Sequence, residues 1–167
     1  MNSHLERYLN DHLAGSSGAV DLIAKLAEAS DDPAQSDFFR ELGLKVESDR
    51  EFLKSLLKKI GQRDSAILQI AGSLTEKAGR LKLLWEGLEP GKLGMFEALE
   101  MLCLGIQGKR LLWRVLGKIS PRIPEWSEID FTALELEAVR QRDAVEAYRV
   151  QAGISALVDG ERGNGQG

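Results

Sequence analysis

Glu47 and Arg50 stand three residues apart in KVESDREFLKSL (45–56), and Glu137 and Arg140 repeat that spacing in LEAVRQRDAVEAY (136–148). With histidine in place of each arginine, both would read Glu-x-x-His. Di-iron helical bundles use that motif on two helices, with one further glutamate from each of the other two. Arginine stays protonated and has no lone pair to give a metal. The rest of the chain does not supply the missing ligands. Its only histidines are His4 and His12, and its only cysteine is Cys103. That excludes a His-rich centre, a thiolate zinc site and C-x-x-C redox chemistry. No metal and no cofactor is expected.

Helical phase moves attention to other residues. At ~100° per residue, Glu47 lies about 160° round from Asp49, off the apolar stripe that contains Asp49. Arg140 and Asp143 fall on the stripe assigned to the fourth helical segment, with Glu146 at its edge. His12 falls on the stripe of the first. A buried, unpaired carboxylate costs several kcal/mol or shifts its pKa. Asp49, Arg140 and Asp143 are therefore expected to form a hydrogen-bonded cluster, joined by Arg50, Glu146 and His12, with Arg140 the first partner for Asp49. Such a cluster either fixes helix register or lines a pocket for a small anion or metabolite. The third alternative leaves these charges in solvent. His12 on an apolar stripe reads more simply as a satisfied core histidine, and Cys103 as a small core residue rather than an activated thiol.

The elements that must position these residues are four segments with 3.6-residue apolar periodicity. The first, about 4–29, opens on the capping box Ser3–Glu6. Its stripe is Leu5, Tyr8, Leu9, His12, Ser16, Ala19, Ile23 and Leu26. The second, about 33–60, has Asp32 as cap and Pro33 in the first turn. Its stripe is Phe39, Leu42, Val46, Asp49, Leu53, Leu56 and Ile60. The third, about 92–119, is apolar nearly all round and stops before Pro121. It is expected to lie centrally, under a crossover or in a subunit interface. The fourth, about 130–158, is capped by Ser127 or Asp130, with the stripe Ile129, Ala133, Leu136, Arg140, Asp143, Ala147, Val150 and Ile154. No period-2 pattern appears, so the fold class is all-α.

Short connections after the first and third segments predict two antiparallel hairpins. Residues 61–91 between them are long enough to recross the bundle, and the apolar residues Ile67, Ile70, Ala71 and Leu74 predict a helix over 64–78. Two hairpins joined by one long crossover give an up-down-down-up four-helix bundle. One domain over 1–158 is expected, followed by a disordered glycine-rich tail over 159–167.

Composition removes several functions. The chain has 167 residues, 22 Lys and Arg against 26 Asp and Glu, and a net charge of −4. An acidic balance with both signs interspersed argues against nucleic-acid binding. No apolar run approaches the ~18 residues of a membrane span, and the first residues do not read as a signal peptide. One cysteine fits a reducing, cytoplasmic setting. The basic residues Lys109, Arg110, Arg114, Lys118 and Arg122 are read as partners for helix C-termini and nearby acids, or as a phosphate patch. No catalytic signature is found.

The helix layout resembles the ferritin-like superfamily. LERYLNDHLAGS, EKAGRLK and LCLGIQGKRLLWRVL resemble a group of small uncharacterised bacterial proteins of that fold, from Leu5 to about Leu157. The resemblance implies the fold and no activity. The expected role is non-catalytic, structural or interactive, with a homodimer through the third segment or the crossover. The alternative is a bundle that binds a small molecule or metal at its inner polar cluster.

Overall fold

The computed structural model describes residues 3–61 and 87–159. Helix α1 spans Ser3–Ala29, α2 Pro33–Gly61, α3 Leu93–Ile119 and α4 Phe131–Ile154. There is no strand among the described residues, and the chain is a helical bundle. None of these helices is long and apolar enough to cross a membrane. The expected crossover helix over 64–78, the EKAGRLK segment and most of the tail lie outside the described residues.

The helix boundaries follow local chemistry. The Asp32 carboxylate accepts the Ala34 N–H at 3.1 Å, capping α2 ahead of Pro33. Ser36 then donates to the Ala27 carbonyl at 2.7 Å, locking the short α1–α2 link where both elements are buried. Asp130, not Ser127, caps α4 by accepting the Ala133 N–H at 2.9 Å. Helix α3 starts at Lys92 without a side-chain cap. Before it, Gly87 and Gly91 take φ of 81° and 77°, which only glycine adopts freely. Between α3 and α4 two 3₁₀ turns, Ser120–Arg122 and Pro124–Trp126, reverse the chain around its prolines. Beyond Ile154, α4 widens into a π turn over Ser155–Asp159.

Contacts run in opposite senses within each hairpin. Gly153 abuts Phe96, Arg149 pairs with Glu100, Arg142 with Gln107 and Arg110 with Glu135, so α3 and α4 are antiparallel. Ser36 meets Ala27 and Arg50 meets Ser17, so α1 and α2 are too. The hairpins meet chiefly where α1 lies beside α3. One aromatic cluster closes the region where α3 turns into α4. Trp126, fully buried in the turn, packs 5.8 Å from Phe131, which lies 6.3 Å from Trp113; Phe52 of α2 lies 6.1 Å from Trp113. A second joins Phe38 and Phe39 of α2 to Tyr148 of α4 at 4.9 and 5.5 Å.

The α2 stripe faces inward as its spacing predicts: Phe39, Leu42, Val46, Leu53, Leu56 and Ile60 are all buried. The α4 stripe does not. Ala133, Leu136, Arg140, Asp143, Ala147, Val150 and Ile154 all face solvent. The inward face is Phe131, Leu134, Ala138, Gln141, Val145, Tyr148 and Ala152, on the opposite side of the helix. The physical reason is that α4 carries apolar residues on both faces. Leu136, Val150 and Ile154 lie outside, whereas the inner face mixes Phe131, Leu134 and Tyr148 with the smaller Ala138, Val145 and Ala152. Helix α3 is also two-faced. Met95, Leu99, Leu102, Ile106, Trp113 and Leu116 are buried, while Met101, Leu104, Leu111 and Val115 are exposed.

A polar layer beside a glycine-walled cavity

On α2, α3 and α4 the inner seam has one polar interruption near mid-length. On α2 it is Asp49, between Val46 and Leu53. On α3 it is Lys109, between Ile106 and Trp113. On α4 it is Gln141, between Ala138 and Val145. Helix α1 contributes His12, between Leu9 and Ser16. Lys109 Nζ donates to Asp49 Oδ2 at 2.6 Å and also to Gln141 Oε1, so one ammonium ties three helices together. The Lys109 and Asp49 side chains are only 14% and 19% exposed, so the pair lies largely out of water. Gln141 is buried and returns a long hydrogen bond of 3.4 Å to Glu137 Oε1.

The six residues expected to cluster are thereby divided. His12, Asp49 and Arg50 line one cavity. Arg140 does not reach Asp49. It turns back onto Glu137, at 2.7 and 2.9 Å, on the outside of α4. Asp143 is exposed and pairs with the adjacent Arg142 at 2.6 Å. Glu146 pairs with Arg149 at 2.6 Å and accepts a weak hydrogen bond from the Cys103 thiol at 3.6 Å. The misassigned face of α4 accounts for all three. Lys109 and Gln141 were the residues missed, and their signal was available: each occupies the single polar position of an otherwise apolar 3-4-3-4 seam. Both Glu-x-x-Arg motifs are ion pairs one turn apart, since Arg50 also meets Glu47 at 3.1 Å. In the basic run on α3, Arg110 and Arg114 share Glu135 near the start of α4, at 3.2 and 3.6 Å.

The cavity occupies about 490 Å³ among α1, α2 and α3 and is partly open. Its walls are mainly apolar, from Ala19, Val46, Leu53, Leu102, Ile106, Leu112 and Trp113. Small residues make the space. A Cβ added at Gly15, Gly105 or Gly108 would meet nothing within 4 Å, and all three glycines line the cavity. Two lining residues carry buried donors without a partner among the described residues, Arg50 Nε and Trp113 Nε1. The other guanidinium nitrogens of Arg50 are engaged, with Glu47 and with Ser17 Oγ at 2.9 Å. On α1, the Tyr8 and His12 rings meet edge to face at 4.7 Å. Burial lowers the His12 pKa below its ordinary value, opposed in part by Asp11. Burial raises that of Tyr8. Next to α4, burial and then the Glu146 carboxylate push the Cys103 thiol up to about 11, which keeps it protonated and unreactive.

A smaller cavity of about 180 Å³ lies between α2 and α4, lined by Lys45, Glu137, Arg140 and Gln141 among others. No three His, Cys, Asp or Glu residues are grouped as metal ligands among the described residues. Comparison of the chain with protein-family models, with curated proteins and with solved structures finds no match.

Proposed function

We propose that this protein is a ferritin-like bundle that binds, without transforming, a small and mostly apolar molecule bearing a hydrogen-bond-accepting head such as a carbonyl or carboxylate. The observation that carries this reading is an apolar volume of about 490 Å³ left open among the described residues, with Arg50 and Trp113 in its wall each holding a buried N–H donor that has no partner among those residues. The volume lies within the ~300–1,000 Å³ range of small-molecule sites. Burying a donor without an acceptor costs about 1–3 kcal/mol, so a side-chain shift that brings Arg50 Nε or Trp113 Nε1 to an acceptor on the ligand would recover what folding leaves unsatisfied. Glycine inside a helix costs roughly 0.5–1 kcal/mol relative to alanine. Three such glycines around one cavity are a stability loss that fits a bundle kept open for a guest. The Asp49–Lys109–Gln141 bridge holds α2, α3 and α4 in register beside it.

The ferritin-like order belongs to the same proposal. Residue numbers rise together along α2 and α3, from Asp49 against Lys109 to Phe52 against Trp113. With both hairpins antiparallel, that supports up-down-down-up. A lone buried thiol supports a cytoplasmic setting.

Decanoate, an apolar chain with a carboxylate head, is the probe. Titration calorimetry on the full chain is expected to give saturable binding at one site, together with a raised melting temperature. Gly105→Leu, which places a side chain in the open space, should abolish binding while the helical circular dichroism stays intact. No saturable binding, or binding unchanged in the filled variant, would overturn the proposal. An interaction role is favoured by a different observation, the exposed apolar residues on the outside of α3.

A further inference from the structure

Met101, Leu104, Leu111 and Val115 are between 40% and 62% exposed. With Glu97, Gly108 and Lys118 they form a continuous line on α3, separated by four, three, four, three, four and three residues. That is the spacing of a coiled-coil seam, and it is distinct from the inner seam through Leu99, Leu102, Ile106 and Trp113. Helix α3 therefore has one seam inside the bundle and another along its exposed side, which passes the rim of the cavity at Gly108. An exposed apolar line on one helix marks an interaction surface rather than random decoration.

The order of residue types along the line identifies the partner. It runs acid, large apolar, large apolar, glycine, large apolar, apolar, base. Laid antiparallel against itself about Gly108, each residue meets a complement. Leu104 meets Leu111 of the partner subunit, Met101 meets Val115 of the partner subunit, and Glu97 meets Lys118 of the partner subunit. A two-fold interface requires this reciprocity, since residue i must suit j and j must suit i. Glu97 and Lys118 are exposed and have no ion pair among the described residues, so both are available. Gly108 lies at the crossing point, where the absence of a side chain lets two backbones approach. The outer stripe of α4 lacks these properties. Its middle is occupied by Arg140 and Asp143, already paired with Glu137 and Arg142.

We propose that α3 pairs with α3 of a second copy of this chain, antiparallel and two-fold, centred on Gly108. Gly108 also lines the cavity, but the pairing does not rest on the cavity being occupied.

Sedimentation equilibrium of the full chain from ~1 to ~300 µM should show a reversible monomer–dimer equilibrium, the range in which a modest interface dissociates. Leu104→Glu with Leu111→Glu should leave a monomer with an unchanged helical melt, because both side chains already face solvent. Glu97→Lys should weaken association by about tenfold or more through the like charge it places against Lys118 of the partner subunit. Adding Lys118→Glu to that variant should restore association. In a Cys103→Ala chain, Gly108→Cys should cross-link on mild oxidation, whereas Leu136→Cys on the outside of α4 should not. A monomer at every concentration would overturn the proposal. So would a dimer indifferent to the Leu104/Leu111 change, or cross-linking at 136 without cross-linking at 108. Unfolding of the Leu104/Leu111 variant would overturn it too, because the stripe would then be covered within the chain.

Discussion

The glycines of α3 and α4 separate two regions that a list of helices would treat alike. In the α3–α4 seam, a Cβ on Gly153 would sit 2.9 Å from the Phe96 ring, and one on Gly117 would sit 3.1 Å from the Phe131 Cβ. There a neighbouring phenylalanine already occupies the space that a Cβ would enter. At the cavity, a Cβ on Gly105 or Gly108 would meet nothing within 4 Å among the described residues. Packing explains the first pair and cannot explain the second. The polar layer lies between these regions. It faces the packed seam through Gln141 and the open cavity through Asp49 and His12.

Removing the layer's anion should have the largest effect. Asp49→Ala would strand the Lys109 ammonium, only 14% exposed, with Gln141 as its sole remaining partner among the described residues. Breaking one side of a buried pair typically costs about 3–5 kcal/mol. Residual exposure moves the expectation to roughly 2–4 kcal/mol, read from urea denaturation. A companion variant, Asp49→Leu with Lys109→Met, should recover most of that loss, because no charge is then left buried. A single variant within ~0.5 kcal/mol of the natural chain would show that Lys109 reaches water.

Gly153→Ala tests the packed seam. Alanine gains up to ~1 kcal/mol in helix propensity, but the new methyl must displace Phe96, over which the Arg149 guanidinium stacks at 5.7 Å. Because Phe96 is half-buried and can swing, the net expectation is a loss of about 1–2 kcal/mol, measured by the same denaturation.

How far the sequence discloses this arrangement differs from helix to helix. Helix α2 is legible because every inner position is large and apolar apart from Asp49, so its phase has one solution. Helix α4 offers two apolar phases, because Leu136, Val150 and Ile154 sit outside while Ala138 and Gln141 sit inside. The outer face carries the charges Arg140 and Asp143 at its middle, whereas the inner face carries only the uncharged Gln141, so counting charges selects the inner face where counting large aliphatics selects the outer. The aliphatic count carried Arg140, Asp143 and Glu146 into the expected cluster and left Lys109 and Gln141 out. Lys109 was hidden by its charge: as part of a basic run it reads as a solvated face, whereas as the one polar step in a seam it reads as a partner for Asp49. The cavity had no signal in the sequence, since glycines that make room and glycines that avoid a clash look the same.

The open wall is tested by Gly105→Ala. With nothing to collide with, the methyl should stabilise the protein by about 0.5–1 kcal/mol through helix propensity and the unfolded-state entropy of glycine. Decanoate binding should weaken in the same variant. A gain in stability with a loss of binding is what a site held open at the expense of stability predicts. A loss of stability would place Gly105 with Gly153, as a close-contact position.

The smallest effect comes from His12, and its sign is set by burial. Burial disfavours the imidazolium, so the folded-state pKa lies below the ordinary value of 6.5. The unfolded chain therefore binds more protons than the folded one as pH falls through that value, and stability must fall with it. The contribution is fully present above 6.5 and is lost as pH drops toward the lowered folded value. Asp11, exposed beside it, moderates the shift without reversing it. The neighbouring window below 4.5 belongs to different groups: Glu137 and Glu146 are held ionised by hydrogen bonds from Arg140 and Arg149 and lose that stabilisation on protonation. Unfolding free energies at pH about 7.5 and about 5.5 should thus differ in the natural chain and converge in His12→Gln, while the slope below the carboxylate range stays the same in both. A ligand carboxylate bound near His12 would raise the imidazole pKa and flatten the upper slope. Repeating the pH series with decanoate therefore asks whether the open region is filled beside this residue or elsewhere along the cavity.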